Sequence, residues 1–393
     1  MATDSSLLSV DAVDQLPFTA KEFDARLSSC RKAMSERGLD YLVLSSPENI
    51  YYLSGLVTRG YYVFQALVVM HTGEPIVVIR RFERTNVERL SYYQNIAIWR
   101  DTDVPADVLA KTLSEVGASG KTVGIDGNSY FFTVSAYETL RAALPNSRFV
   151  NASAVLEKCR RIKSPQEIAY IRRAAVATKA GFDAAREITH SGRTENEVAA
   201  AFHQAVIAAG SEYMAGHPYV ASGPRTALPH ASWSGRRIEK GDLVYIEGAG
   251  NTKRYSAALM RTWSMGKPND DVRRAADTSI AALDAAIAAM KPGATSGEVD
   301  AACRSTVARA GLADAFLHRT AYSVGVGICP GWGEGWVMDI KEADPRVLES
   351  GMVFHIVPVL FPEPHVSVGF SATVLVNKVG AEILTDYSRE MEC

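Results

Sequence analysis

The sequence predicts an α+β protein of two domains, an α/β domain over residues 1–160 followed by an α+β domain over residues 161–393. Three observations carry this expectation. The chain has 393 residues, 47% of them hydrophobic, which is more than one ordinary domain uses and enough to bury a large core. From Phe18 to Val150 short apolar runs alternate with amphipathic stretches. Near Arg160 that texture gives way to long Ala-rich helical stretches, each opened by a helix-start signature.

In the N-terminal part the runs Tyr41-Leu42-Val43-Leu44, Ala66 to Met70, Ile76-Val77-Val78-Ile79 and Thr122-Val123-Gly124-Ile125 read as strands, because they are short, rich in β-branched residues and bounded by turn signals. His71-Thr72-Gly73-Glu74 separates two of them with a Gly-containing turn, so a hairpin and a mixed sheet are expected. Further on, Ser164-Pro165-Gln166-Glu167 offers a capping Ser, a Pro suited to the first turn and a Glu that can reach back. Thr194 to Glu197 and Thr295 to Glu298 repeat that logic. Leu243 to Ile246, Met352 to Ile356 and Thr373 to Val376 read as strands between and after these helices. There is no low-complexity segment and no short repeat.

Lys and Arg number 42 against 44 Asp and Glu, a formal charge of -2, so no global field exists to hold nucleic acid or an anionic membrane. The opening Met1 to Leu8 has no basic segment followed by a long apolar one, and no stretch is apolar enough to span a bilayer. A cytoplasmic, unanchored protein is expected. Five scattered cysteines, Cys30, Cys159, Cys303, Cys329 and Cys393, form no Cys-x-x-Cys pair. They read as reduced structural thiols, and nothing local marks Cys329 as an activated nucleophile.

Glu247 is expected to end an apolar strand, and it precedes Gly248-Ala249-Gly250, glycines that would let a substrate approach the backbone. Burial alone would raise its pKa, whereas Arg254, Arg261 or a cationic substrate would keep it ionised. A buried Glu–Arg pair is the structural alternative.

The order helix, Gly241 to Glu247, Arg261-Thr262, two helices, Gly-rich segment, Gly351 to Phe354 and Thr373 to Val376 resembles the catalytic domain of the creatinase/prolidase/aminopeptidase P family, over roughly Lys163 to Thr385. The resemblance implies a pita-bread catalytic domain behind a creatinase-type N-terminal domain. It also implies a homodimer, with Tyr61 and Tyr62 among residues of one subunit that line the other's pocket. Peptidases of the family hold two metal ions with two Asp, one His and two Glu. The matching places here are Glu247, Ala258, Val326, Val357 and Ser371. Alkyl groups donate no lone pair and one carboxylate cannot hold a dinuclear centre, so a metal-free branch is expected, with no cofactor.

Family position makes His230, in Leu228-Pro229-His230, the proton shuttle, a role suited to an imidazole facing a departing nitrogen. His355 sits beside a metal-ligand place and is expected to face the pocket as a third catalytic residue with Glu247 and His230, with a core His bonded to backbone as the rival. His217 is a further substrate-binding candidate beside Arg261. His71, His190, His203, His318 and His365 read as surface or structural. Tyr322 and Trp332 would face an organic cation and Glu334 would pair with it, unless these belong to an ordinary aromatic loop.

Among metal-free members, Ile246-Glu247, Arg261-Thr262, Tyr322-Ser323-x-Gly325, Trp332-Gly333-Glu334 and Phe354-His355 look most similar to the ectoine hydrolase branch. The activity this implies is opening of a cyclic amidine that carries a carboxylate, to an N-acetyl-diaminobutyrate. Glu247 would be the nucleophile and His230 the acid. Arg59, Arg80, Arg81 and Arg225 all remain candidates for the carboxylate. Two other readings stay open: hydrolysis of a different cyclic amidine or guanidine compound, and a non-catalytic pita-bread binding protein.

Overall fold

The computed structural model describes residues 16–328, 330–363 and 366–392. Cys329, His365, Cys393 and the opening segment lie outside the described residues. The chain divides into two compact units between Arg160 and Arg161.

In the first unit six strands form one sheet among the described residues: β1 (Tyr41–Leu44), β2 (Ala66–Met70), β3 (Ile76–Arg80), β4 (Asn95–Trp99), β5 (Thr122–Ile125) and β6 (Arg148–Asn151), in the order β4-β3-β2-β1-β5-β6. β1, β2 and β3 run antiparallel to one another in turn, and the outer pairings are parallel. The sheet is therefore mixed, with the expected β2–β3 hairpin. Its runs are continuously apolar because both faces are covered. Leu42, Leu67, Val69, Val77 and Ile79 enter one core, and Val43, Ala66, Val68, Ile76 and Val78 enter the other. Helices α1 (Ala20–Glu36), α2 (Pro47–Ser54), α3 (Arg84–Leu90), α4 (Pro105–Glu115), α5 (Val134–Ala143) and α6 (Ala154–Arg160) complete this unit.

The second unit holds α7 (Pro165–Ile188), α8 (Glu195–Ala208), α9 (Asp270–Ala289) and α10 (Ser296–Arg309). The capping boxes expected at Ser164, Thr194 and Thr295 are all formed. The helices pack as two pairs, α7 on α8 and α9 on α10. Strands β7 (Tyr219–Ser222), β8 (Leu243–Thr252) and β9 (Tyr255–Ser264) make an antiparallel sheet under α7. A second sheet contains β10 (Ala321–Ser323), β11 (Asp339–Ile340), β12 (Val353–Ile356), β15 (Ala372–Val376) and β16 (Ala381–Ile383), and β13 (Val359–Glu363) pairs with β14 (Val366–Gly369). Among the described residues no helix is long and apolar enough to cross a membrane.

Two expectations are corrected here. Glu247 stands in the middle of β8, a ten-residue strand, and does not end it. Gly248 and Gly250 admit helices, not substrate: a Cβ on Gly248 would lie 2.5 Å from the Phe202 ring of α8, and one on Gly250 would lie 2.9 Å from the Ala174 carbonyl of α7.

Candidate active site

Strand alternation sends Tyr245 and Glu247 to one face of β8, and the strand register lays Tyr219 and Met260 on either side of Glu247. All four line a cavity of about 790 Å³. Tyr322, Trp332, Trp336 and Phe361 add aromatic wall, and His230, His318, Arg319 and Asp339 add the other imidazole and charged groups. The result is an aromatic chamber around Glu247, with the second lining carboxylate, Asp339, paired to Arg319.

Glu247 keeps 12% of its side chain exposed. Burial raises its pKa to about 7, against the pull of a hydrogen bond from Tyr322 and the positive charge of Arg319. The balancing cation is thus Arg319 and not Arg254 or Arg261.

Behind Glu247 a polar chain runs into the core. The Met260 N–H donates to Ser371 Oγ at 2.6 Å. Ser371 Oγ lies 2.7 Å from His355 Nε2, and His355 Nδ1 lies 2.8 Å from the Tyr322 hydroxyl. Trp332 Nε1 donates to that hydroxyl at 2.9 Å. A backbone N–H can only donate, so one assignment satisfies every group: Ser371 donates to Nε2, Nδ1–H donates to Tyr322, and Tyr322 donates to ionised Glu247. Burial and the surrounding cations lower the His355 pKa to about 3, which keeps the imidazole neutral.

His230 is exposed at the cavity wall, its ring 5.3 Å from that of Tyr219. Its φ of 60° is a left-handed conformation that costs a non-glycine residue on the order of 1 kcal/mol, and it holds the imidazole beside the aromatic wall. Glu247, His230, Tyr322 and Trp332 are therefore brought to one chamber.

Five other candidates of the second unit are not cavity-lining. His355 is fully buried and does not line the pocket or bond to backbone: it meets the Tyr322 and Ser371 side chains, and its Nδ1 lies 3.9 Å from Glu247 Oε1. Glu334 is buried too: it accepts from Lys163 Nζ at 3.2 Å and from the Val326 N–H at 3.0 Å, so its charge is already matched inside the protein. Arg261 donates to the carbonyls of Met260, Ser371, Tyr387 and Ser388, and burial lowers its pKa to about 9. His217 is exposed and stands edge-on to Tyr219 and Trp233. Arg225 is engaged by Glu195 and by the Ser232 carbonyl.

Sequence reasoning missed Tyr219, Tyr245, Trp336, Asp339, His318 and Arg319. His318 and Arg319 lie in a loop without periodicity. The one available signal was their position just ahead of the strand that carries Tyr322.

A metal centre does not fit these residues. Ala258 packs with Ala249 against the buried Trp332, and Val326 and Val357 are aliphatic. The Ser371 hydroxyl is committed to Met260 and His355. Among the described residues no group of three or more His, Cys, Asp or Glu side chains is placed to hold a metal ion. The described cysteines offer no nucleophile either: Cys30 and Cys303 are buried and Cys159 is half-buried, and burial pushes all three thiols up.

Residues 169–378 match the model of metallopeptidase family M24, and residues 26–162 match the creatinase/prolidase N-terminal domain. The chain is 30% identical to the ectoine hydrolase of Halomonas elongata over 394 residues, covering 96% of this chain and 98% of that one. It is also 30% identical to the Xaa-Pro dipeptidase of Pyrococcus furiosus, covering 93% and 99%. Among solved structures, the prolidase from Pyrococcus horikoshii superposes with a TM-score of 0.82 at 26% identity, over 93% of this chain and 99% of that one. The dipeptidase PepE from Mycobacterium ulcerans gives 0.81 at 28%, over 96% and 100%.

Proposed function

This chain belongs to metallopeptidase family M24, with a creatinase/prolidase N-terminal domain ahead of a pita-bread catalytic domain, and from that premise we propose that it is a metal-independent C–N hydrolase that opens the ring of ectoine or a closely similar cyclic amidine. The observation that carries the proposal is the isolation of Glu247. It is a nearly buried carboxylate in an aromatic chamber, and the family's other ligand places hold alkyl groups and a committed serine. Such a site suits a substrate that is itself cationic and needs no Lewis acid. Likeness to the Halomonas elongata ectoine hydrolase over nearly the whole chain supports the same reading.

In the proposed reaction the amidinium ring lies among Tyr219, Tyr322 and Trp332, and a Glu247 oxygen forms a bond to the amidine carbon. One ring C–N bond then breaks, with His230 giving its proton to the departing nitrogen. Water, losing a proton to His230, attacks the acyl-type adduct, frees the Glu247 carboxylate and leaves the acetyl group on the remaining nitrogen as an amide. The net change is addition of one water. His355, bonded to Tyr322 and with its Nδ1 3.9 Å from Glu247 Oε1, positions the carboxylate, and Ser371 holds His355 from behind. The proposal extends to a cytoplasmic homodimer that takes no cofactor.

The test is to incubate chelator-treated protein with ectoine and follow product mass. The expected result is N-acetyl-diaminobutyrate at a rate unchanged by the chelator, with turnover reduced at least 1,000-fold, roughly, in Glu247→Gln. Full turnover in that variant would remove Glu247 from the chemistry. Turnover of another cyclic amidine or guanidine, but not of ectoine, would keep the mechanism and change the substrate.

A further inference from the structure

Among the described residues that line the cavity, Arg319 is the one Lys or Arg. Its guanidinium carbon lies 4.9 Å over the ring of Tyr322, and its Nε faces Asp339 Oδ1 at 2.8 Å. Those two contacts fix the plane of the group and use only its Nε edge. Among the described residues neither terminal amino group of Arg319 has a hydrogen-bond partner. Gly335 adds no side chain on that side, where a Cβ would lie 3.4 Å from Nη2. The contrast with Arg225 and Arg261, whose terminal amino groups already donate to protein acceptors, isolates Arg319 as an available fork. A guanidinium presents two parallel N–H groups at the spacing of a carboxylate.

We infer that Arg319 is the carboxylate-binding residue of this cavity, and that the preferred ligand is a small zwitterion whose anionic end meets Arg319 and whose cationic end meets Glu247. Arg319 covers the face of the Tyr322 ring, and the His355 Nδ1 that lies 2.8 Å from the hydroxyl of that ring is 3.9 Å from Glu247 Oε1. The two ends of the ligand are therefore separated by about the breadth of one phenol ring. A single six-membered ring bearing a carboxylate meets that spacing, and a long peptide gains nothing from it. The identity of the cationic end rests on the amidine reading of the site, whereas the carboxylate subsite does not.

The experiment therefore uses two probes. Calorimetry with benzoate and with its neutral counterpart benzamide reads the Arg319 subsite alone, and the KM for ectoine against the same ring without its carboxylate reads the whole site. In the wild-type protein benzoate is expected to bind in preference to benzamide. Arg319→Gln abolishes the preference, Arg319→Lys weakens it, and in Arg319→Gln the KM for ectoine rises roughly 10- to 100-fold with kcat little changed. Asp339→Asn keeps Arg319 and removes its carboxylate neighbour, so benzoate should bind several-fold tighter; this holds the test open if Arg319→Gln does not fold. Equal binding of benzoate and benzamide by the wild type, an undiminished preference in Arg319→Gln, or no gain in Asp339→Asn overturns the inference. A benzoate preference that depends on Arg319, in a protein that leaves ectoine intact, upholds the carboxylate subsite and rejects the amidine substrate.

Discussion

The Nδ1 of His355 lies 2.8 Å from the hydroxyl of Tyr322, its cross-strand partner on β10, and 3.9 Å from Glu247 Oε1, so this buried imidazole stands directly behind both the phenol and the carboxylate. Replacing Tyr322 by Phe removes the bond that holds the Glu247 pKa down. The kcat/KM profile, which requires an ionised nucleophile, should rise through pH of about 7 in the wild type and shift upward by roughly one pH unit in Tyr322→Phe. An unmoved midpoint would show that the phenol does not tune the acid.

Glu247 and His355 pull stability in opposite directions with pH. The Glu247 pKa is raised from 4.5 to about 7 on folding, so the native protein binds more protons between those values and loses stability as pH rises through them. The His355 pKa is lowered from 6.5 to about 3, so the unfolded chain binds more protons there and stability is lost as pH falls. The effects oppose one another between pH 4.5 and 6.5. Urea unfolding of Glu247→Gln should therefore show a steeper loss on acidification across that window than the wild type does.

Lys163 and Glu334 are each about 1% exposed and face each other at 3.2 Å. Lys163→Met leaves a buried carboxylate without its cation and should cost about 3–5 kcal/mol, measured as a lower urea midpoint. The KM should hold, since neither residue lines the cavity.

Arg261 feeds four backbone carbonyls from one planar group, which a lysine ammonium cannot copy. Arg261→Lys is expected to lower stability by about 2–4 kcal/mol without altering substrate affinity. A raised KM in the folded variant would return Arg261 to the binding site.

Local physics was legible in the sequence, and long-range partnership was not. The caps at Ser164, Thr194 and Thr295 formed as expected because each is closed within four residues. Glu247 stood out because a carboxylate inside an apolar run has few bland explanations. The glycines beside it had two uses, admitting a ligand or admitting a helix, and only the packing of α7 and α8 decides between them. Glu334 was expected to meet a ligand because its partner, Lys163, lies 171 positions earlier. Arg319 carried no local mark, since availability is a property of what surrounds a side chain.

The amide of Met260 is part of a β-strand and cannot turn around. Polarity introduced there passes through Ser371, His355 and Tyr322 in one sense, and Glu247 is left with lone pairs facing the chamber. The pocket is therefore an electron-pair donor before any ligand arrives. At the Glu247 end it welcomes groups that bring hydrogens and leaves a ligand's oxygens to Arg319, so a ligand's orientation is set on entry, ahead of any test of shape.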